Sequence, residues 1–337
     1  MKPLLALLLL GLPGMAAVTG TVVNRTSGQP LAGATVELNR LSENGVEPIG
    51  EARTDAQGRF RFERDTPGPQ LLRVTFDGVT YFRTLAPGAP TEGISLDVYA
   101  SSGQPGAATV SKHMLFFEPS ASGRMAVQET FIYTNPGKTA WHNPGGGELH
   151  FFLPSSAGGN VQVNATAPGG MPIPAALVKT SSADVMAVDF AIKPGETRFD
   201  VTYTVAYTPG QPYEGKVVTR DENTYLIAPQ GVTLTGGGLT DLGTEPRTQA
   251  HLFGLPGTTY KITLTGEAAA APEPGTTAAD EPDNGPPIEA IPPRINGSAV
   301  PILGLALAVL AVGFALLYRK SPAVPTPAKE ANERGRG

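Results

Sequence analysis

Residues 54–62 read Thr54-Asp55-Ala56-Gln57-Gly58-Arg59-Phe60-Arg61-Phe62, and the fold of the N-terminal part is decided there. The Asp55 carboxylate can accept hydrogen bonds from the amides of a tight turn, and Gly58 can take positive φ at a bulge before the next strand. Phe60 and Phe62 are two residues apart, so they share one face of that strand and point to the core. Nine residues thus specify a turn, a strand and its buried side.

The same grammar extends in both directions. Upstream, Gly20-Thr21-Val22-Val23 is a first strand, Ser27-Gly28-Gln29-Pro30-Leu31 a turn, and Gly33-Ala34-Thr35-Val36-Glu37-Leu38 a second strand with alternating apolar positions. Downstream, Leu72-Arg73-Val74-Thr75-Phe76 alternates likewise, and Asp77-Gly78 supplies the turn into Val79-Thr80-Tyr81-Phe82. In this order the motifs G-x-V-x-N, S-G-x-P-L, G-A-x-V-x-L and T-D-x-x-G-x-F-x-F resemble the carboxypeptidase regulatory-like family, over residues 18–100 or a quarter of the chain. The resemblance implies a transthyretin-like (prealbumin-like) β-sandwich of about seven strands, used as an accessory module in secreted and surface proteins. Gly28, Pro30, Gly33, Asp55, Gly58, Phe60 and Phe62 are its structural positions; it implies a fold and no activity.

The residues of this region bear on three sharper readings. A zinc peptidase needs closely spaced His and Glu with a further distant ligand. The histidines are His113, His142, His150 and His251, none in an H-x-x-E pattern and none within 18–100. An internal Lys–Asn isopeptide bond, as in related-looking adhesin modules, is excluded because residues 18–100 contain no lysine. Sugar stacking on exposed aromatics would use Tyr81, Phe82 and Tyr99; the alternative for all three is core packing.

The second region, 107–265, is also rich in strands. Arg124 to Tyr133 alternates large apolar and polar residues and ends at Asn135-Pro136-Gly137. Phe199, Val201, Tyr203, Val205 and Tyr207 fall on one face of a strand, with Asp200, Thr202 and Thr204 on the other. Further strands are expected at Leu149–Leu153, Val185–Ile192, Val217–Arg220, Thr224–Ala228 and Tyr260–Thr265. Their number and spacing suggest an antiparallel, immunoglobulin-like sandwich. The expected fold class is therefore all-β, two tandem sandwiches, followed by one C-terminal transmembrane helix.

One segment of this region combines chemistry-bearing residues, Trp141-His142-Asn143-Pro144-Gly145-Gly146-Gly147-Glu148-Leu149-His150. It reads either as a binding loop or as a long hairpin loop. In the first case Trp141 is a stacking platform and His142, Glu148 and His150 are weak metal ligands; in the second Trp141 caps the core. Together with Tyr81 these are the candidate ligand contacts. Thr235-Gly236-Gly237-Gly238-Leu239 lacks the lysine and helix context of a phosphate loop and reads as a turn. No G-x-S-x-G elbow is present, Ser155-Ser156 and Ser181-Ser182 lie in polar loops, and Asp189 and Asp200 read as solvated carboxylates rather than an acid–base pair. The expectation is a non-enzyme with no catalytic residue, no resident metal and no cofactor.

Composition and the chain ends set the location. The chain has 337 residues with 41 Gly, 33 Pro, 16% charged residues, a net charge of −5 and no cysteine. Disulfides, thiolate metal sites and lipidation are thereby excluded, and the exterior part has no dense basic patch, which argues against nucleic acid as a partner. Residues 1–17 read as a signal peptide, with an uncleaved anchor as the alternative. Residues 266–297 are a Pro-rich acidic linker, and Ala299–Tyr318 is an uncharged run long enough to span a bilayer, followed by Arg319 and Lys320. Within it Gly304, Ala308 and Gly313 are small residues that permit helix packing. Residues 319–337 form a basic cytoplasmic tail suited to an anionic leaflet. The sequons at Asn24, Asn164 and Asn296 are acceptors only in a glycosylating host.

The functional expectation is a membrane-anchored, extracytoplasmic binding or structural protein of the cell envelope. Its partners would be the lipid bilayer and an envelope protein or glycan, including carbohydrate. The alternatives are an accessory subunit that docks through its helix and, more remotely, an undetected hydrolase.

Overall fold

A computed structural model describes residues 17–43, 45–63, 68–157, 160–219 and 224–268. The chain divides into two units, 1–271 and 272–337, and every described residue lies in the first. Nearly all of the expected signal peptide and linker, and all of the transmembrane span with Gly304, Ala308 and Gly313 and of the tail, lie outside the described residues. Among the described residues no helix is long and apolar enough to cross a membrane.

The described chain is all-β, with a single 3₁₀ turn at Ser155–Ala157. Its N-terminal part is two sheets face to face. In one, Val18–Asn24 pairs antiparallel with Arg59–Phe62 and parallel with Ile94–Val98, and the short strand Gln29–Pro30 extends its far end. In the other, Gly45–Arg53, Thr35–Ser42, Gln70–Phe76 and Val79–Leu85 follow one another antiparallel. Val18, Val22, Val36, Leu38, Phe60, Phe62, Leu72, Val74, Leu96 and Val98 fill the space between them.

The decisive nonapeptide behaves as its residues dictate. Asp55 Oδ1 accepts the amides of Gln57 at 2.9 Å and Arg59 at 2.8 Å. Gly58 has φ 72°, and a Cβ there would stand 2.7 Å from the Val22 carbonyl oxygen, so two independent constraints require glycine. Phe60 and Phe62 are buried and meet edge-to-face with centroids 6.0 Å apart. Asp77 and Gly78 both have positive φ, 50° and 79°, which makes the two-residue hairpin turn between Phe76 and Val79 type I′.

The rest of the unit is one long sheet backed by two short ones. Its eight strands run Ile173–Pro174, Val161–Thr166, Gly195–Ala206, Arg124–Asn135, Thr109–Ser120, Thr224–Ala228, His251–Leu255 and Thr240–Thr244. All pairs are antiparallel except Thr109–Ser120 with Thr224–Ala228, which is parallel. The backing sheets are Leu149–Phe152, Val185–Asp189 and Ala176–Lys179, and Pro212–Lys216, Thr259–Gly266 and Val232–Gly236. The expected strand at 217–220 is not formed at Val217–Thr219; pairing with Thr259–Gly266 ends at Lys216, and Val217 instead turns inward as a buried residue.

Phe199, Val201, Tyr203, Val205 and Tyr207 are all buried, as the period-two pattern requires, and they join Phe117, Phe131, Tyr133 and Phe151 in the larger core. Each fully buried aromatic or branched side chain contributes about 1.5–3 kcal/mol, so a core of this size holds without disulfides. One inward position is charged. Glu129 lies between Leu115 and Val201 in register, accepts a hydrogen bond from the Tyr203 hydroxyl at 2.7 Å and faces His113 Nε2 at 3.2 Å. His113 is itself buried and stacked on Phe131 at 4.0 Å. Burial, followed by the Glu129 charge, holds the Tyr203 hydroxyl well above its ordinary pKa.

Candidate functional site

Two loops of the larger half reach onto the smaller core. Ala140 is fully buried within that smaller core, and Ala191 packs against it. Each is carried by backbone bonds that leave little freedom. Trp141 and Ile192 exchange N–H···O bonds at 2.9 Å in both directions, Ala140 N donates to Ala100 O at 2.9 Å, and His142 N donates to Ser102 O at 2.8 Å. Ser101–Ser102, between the two cores, therefore pairs with Ala140–Trp141 rather than hanging as a loose connection. Its Ser101 amide also donates to Asp77 Oδ2 at 2.7 Å. Asn135 Nδ2 closes the arrangement by donating to the carbonyls of Thr139 and Ile192.

Glu148 organises the seam. Its side chain is wholly buried, Oε1 accepts the Asn143 amide at 2.6 Å, and Oε2 accepts the Phe190 amide at 2.8 Å. A buried carboxylate with backbone donors on both oxygens ties two loops at once. His142 Nδ1 lies 3.1 Å from Glu148 Oε1 and 4.0 Å from Asp189 Oδ1. The register explains why the two carboxylates meet: Leu149 pairs with Val188 antiparallel, so the residue before the first lies across from the residue after the second, and the turn closed by Gly146 and Gly147 onto the Asn143 carbonyl brings His142 to them. One donor atom from each of His142, Glu148 and Asp189 falls within 4.8 Å of the others, a set chemically able to hold a cation.

Between the two halves lies a cavity of about 200 Å³, lined from the smaller half by Tyr81, Phe82, Arg83, Ser95, Asp97 and Tyr99 and from the larger by Pro168 and Lys193, among others. Lys193 Nζ donates to the Thr80 carbonyl at 2.6 Å and lies 4.9 Å from the Tyr81 ring centroid and 5.6 Å from that of Phe82. Burial of the ammonium lowers its pKa to about 8. Two ring faces and a carbonyl replace part of the water it loses.

Of the candidate contacts, Trp141, His142 and Glu148 lie together in the hydrogen-bonded seam, Tyr81 lines the cavity beside Lys193, and His150 is not part of the His142–Glu148–Asp189 set. Trp141 leans on Tyr133, with centroids 6.2 Å apart, and packs against the larger core, which favours the capping reading over an open stacking platform. Tyr81 is buried and its hydroxyl donates to Tyr99 O at 2.8 Å, whereas Phe82 beside it is 45% exposed. Asp189 takes the place in the cluster that the sequence offered to His150. Asp189 and Asp200 belong to different sheets, and Asp200 is held by Arg198 at 2.7 Å and Thr130 at 2.7 Å. Lys193 and the Glu129–His113 pair belong to no motif in the sequence. A polar residue at an inward parity within an apolar strand was the available signal for the latter two.

Residues 17–99 match the carboxypeptidase regulatory-like domain family. A search of curated proteins finds no match. Among solved structures, an M1 zinc metallopeptidase from Deinococcus radiodurans is similar over 55% of this chain and 51% of its own, at 15% identity and TM-score 0.27. The full-length major pilin SpaD from Corynebacterium diphtheriae is similar over 60% of each chain, at 11% identity and TM-score 0.21. An (S)-allantoin synthase is similar over 26% of this chain and 41% of its own, at 18% identity and TM-score 0.21. The chain thus spans less than two thirds of each.

Proposed function

We propose that this is a non-enzymatic, membrane-anchored protein of the cell envelope whose two-core β body binds an extracytoplasmic partner at the seam between its halves. The observation that carries the reading is the seam cavity, where exposed Phe82 stands beside Arg83, Ser95, Asp97 and Lys193. An apolar ring edged by hydrogen-bonding groups suits a sugar face or a protein side chain, and no bond making is required of it. The interlocked loops support the same reading, because they hold the two walls of the cavity at one spacing. In this account the carboxypeptidase regulatory-like half, prealbumin-like in arrangement, and the immunoglobulin-like half serve as scaffolds. The uncharged run Ala299–Tyr318 anchors them, and the Pro-rich linker holds them away from the bilayer.

The test compares full-length protein with its Phe82→Ala and Arg83→Ala variants in two assays, a glycan array and capture from envelope membranes. The expected result is a partner in one assay that both variants lose while their thermal stability is kept. Capture that survives both substitutions but disappears when Ala299–Tyr318 is exchanged for an unrelated anchor would replace this reading with docking through Gly304, Ala308 and Gly313.

A further inference from the structure

We infer that His142, Glu148 and Asp189 bind a divalent transition cation of the zinc or manganese type. The first ground is geometry. Nδ1 of His142 is 3.1 Å from Glu148 Oε1 and 4.0 Å from Asp189 Oδ1, and all three donors fall within 4.8 Å. Tetrahedral zinc with ligands at about 2.0–2.2 Å sets them about 3.4 Å apart. The set is therefore slightly open, and Asp189, whose side chain is 32% exposed, is the member able to close it by rotation.

The second ground is charge. Glu148 is wholly buried and Asp189 stands beside it, and among the described residues no lysine or arginine forms an ion pair with either carboxylate. Placing a second carboxylate beside a buried one is costly, and a divalent cation between them offsets that cost. The third ground is orientation. The amides of Asn143 and Phe190 already fix the plane of the Glu148 carboxylate, the outer-shell support that metal-ligating groups need. On binding, Nδ1 would turn its lone pair to the ion and Nε2 would keep the ring proton. One imidazole nitrogen with two carboxylates selects a borderline cation over calcium or magnesium, which take oxygen ligands.

The inference does not depend on the seam cavity having a ligand, and it has a consequence for the fold. His142 also donates its amide to Ser102, so an ion here would fasten the seam. The experiment is calorimetric titration of untagged, chelator-stripped full-length protein in detergent with zinc, manganese and magnesium chlorides, paired with thermal melts. One saturable equivalent of zinc is expected, with magnesium at least about tenfold weaker and a higher melting temperature in zinc. Asp189→Asn and His142→Gln should each weaken zinc at least about tenfold. His251→Gln, which removes the exposed His251–Asp241 pair, should leave the affinity unchanged. Absence of a saturable equivalent, retention of full affinity in Asp189→Asn, or its loss in His251→Gln would overturn the site. Asp189→Asn is nearly isosteric, so its result stands even where His142→Gln folds poorly.

Discussion

Asp55 and Gly58 show how much one side chain can determine. The carboxylate satisfies two turn amides, and the glycine meets a positive φ and a carbonyl 2.7 Å from where a Cβ would stand. Replacing Asp55 by Ala should cost about 1 kcal/mol, and Gly58→Ala more than that, because strain and a backbone clash add. Urea denaturation of each variant against the parent measures both. These positions were legible in the sequence because everything they do lies within a few residues of themselves. Glu148 was legible only in part: its presence beside His142 could be read, but its partners Phe190 and Asp189 arrive through strand register. His150 stays outside the set because it lies within the strand Leu149–Phe152, whereas Glu148, just before that strand, is turned onto the amides of Asn143 and Phe190.

At the scale of elements, the period-two strands carried the reading furthest. Gly195–Ala206 has the alternation from Phe199 to Val205 that its residues require, with Tyr207 just past its end also buried, and the Asp77-Gly78 turn follows from two residues alone. The two-residue strand Ala140–Trp141 was invisible, because no pattern can be seen in so short a piece and its place is fixed by contacts with the other core. Its role is nevertheless testable. Ala140 is fully buried among the side chains of the smaller core, so Ala140→Leu should overpack that core and cost about 1–3 kcal/mol. Because the strand belongs to the larger half, the variant should lower the stability of both halves together, seen as one shifted transition in calorimetry rather than as selective loss of one.

For the whole molecule, the seam makes alkaline behaviour informative. Lys193 has its pKa lowered to about 8 by burial, so between pH 8 and the ordinary lysine range near 10.5 the unfolded chain holds a proton that the folded chain has released. Stability from this group therefore rises with pH across that window. The hydroxyls of Tyr81, Tyr203 and Tyr260 are raised by burial and Tyr213 is raised to about 12, so above pH 10 the unfolded chain ionises first and stability falls. Urea midpoints measured from pH 7 to 11 should pass through a maximum near pH 10, and Lys193→Met should remove the rising limb.

Location is the premise on which the functional reading stands, and the absence of cysteine from the chain makes it directly measurable. Single cysteines at Ser122, in an exposed turn, and at Ala331, in the tail, can be labelled with a membrane-impermeant maleimide from the extracytoplasmic side. Ser122→Cys is expected to be modified at once and Ala331→Cys only after the membrane is permeabilised. Protection of Ser122→Cys until permeabilisation would contradict that expectation.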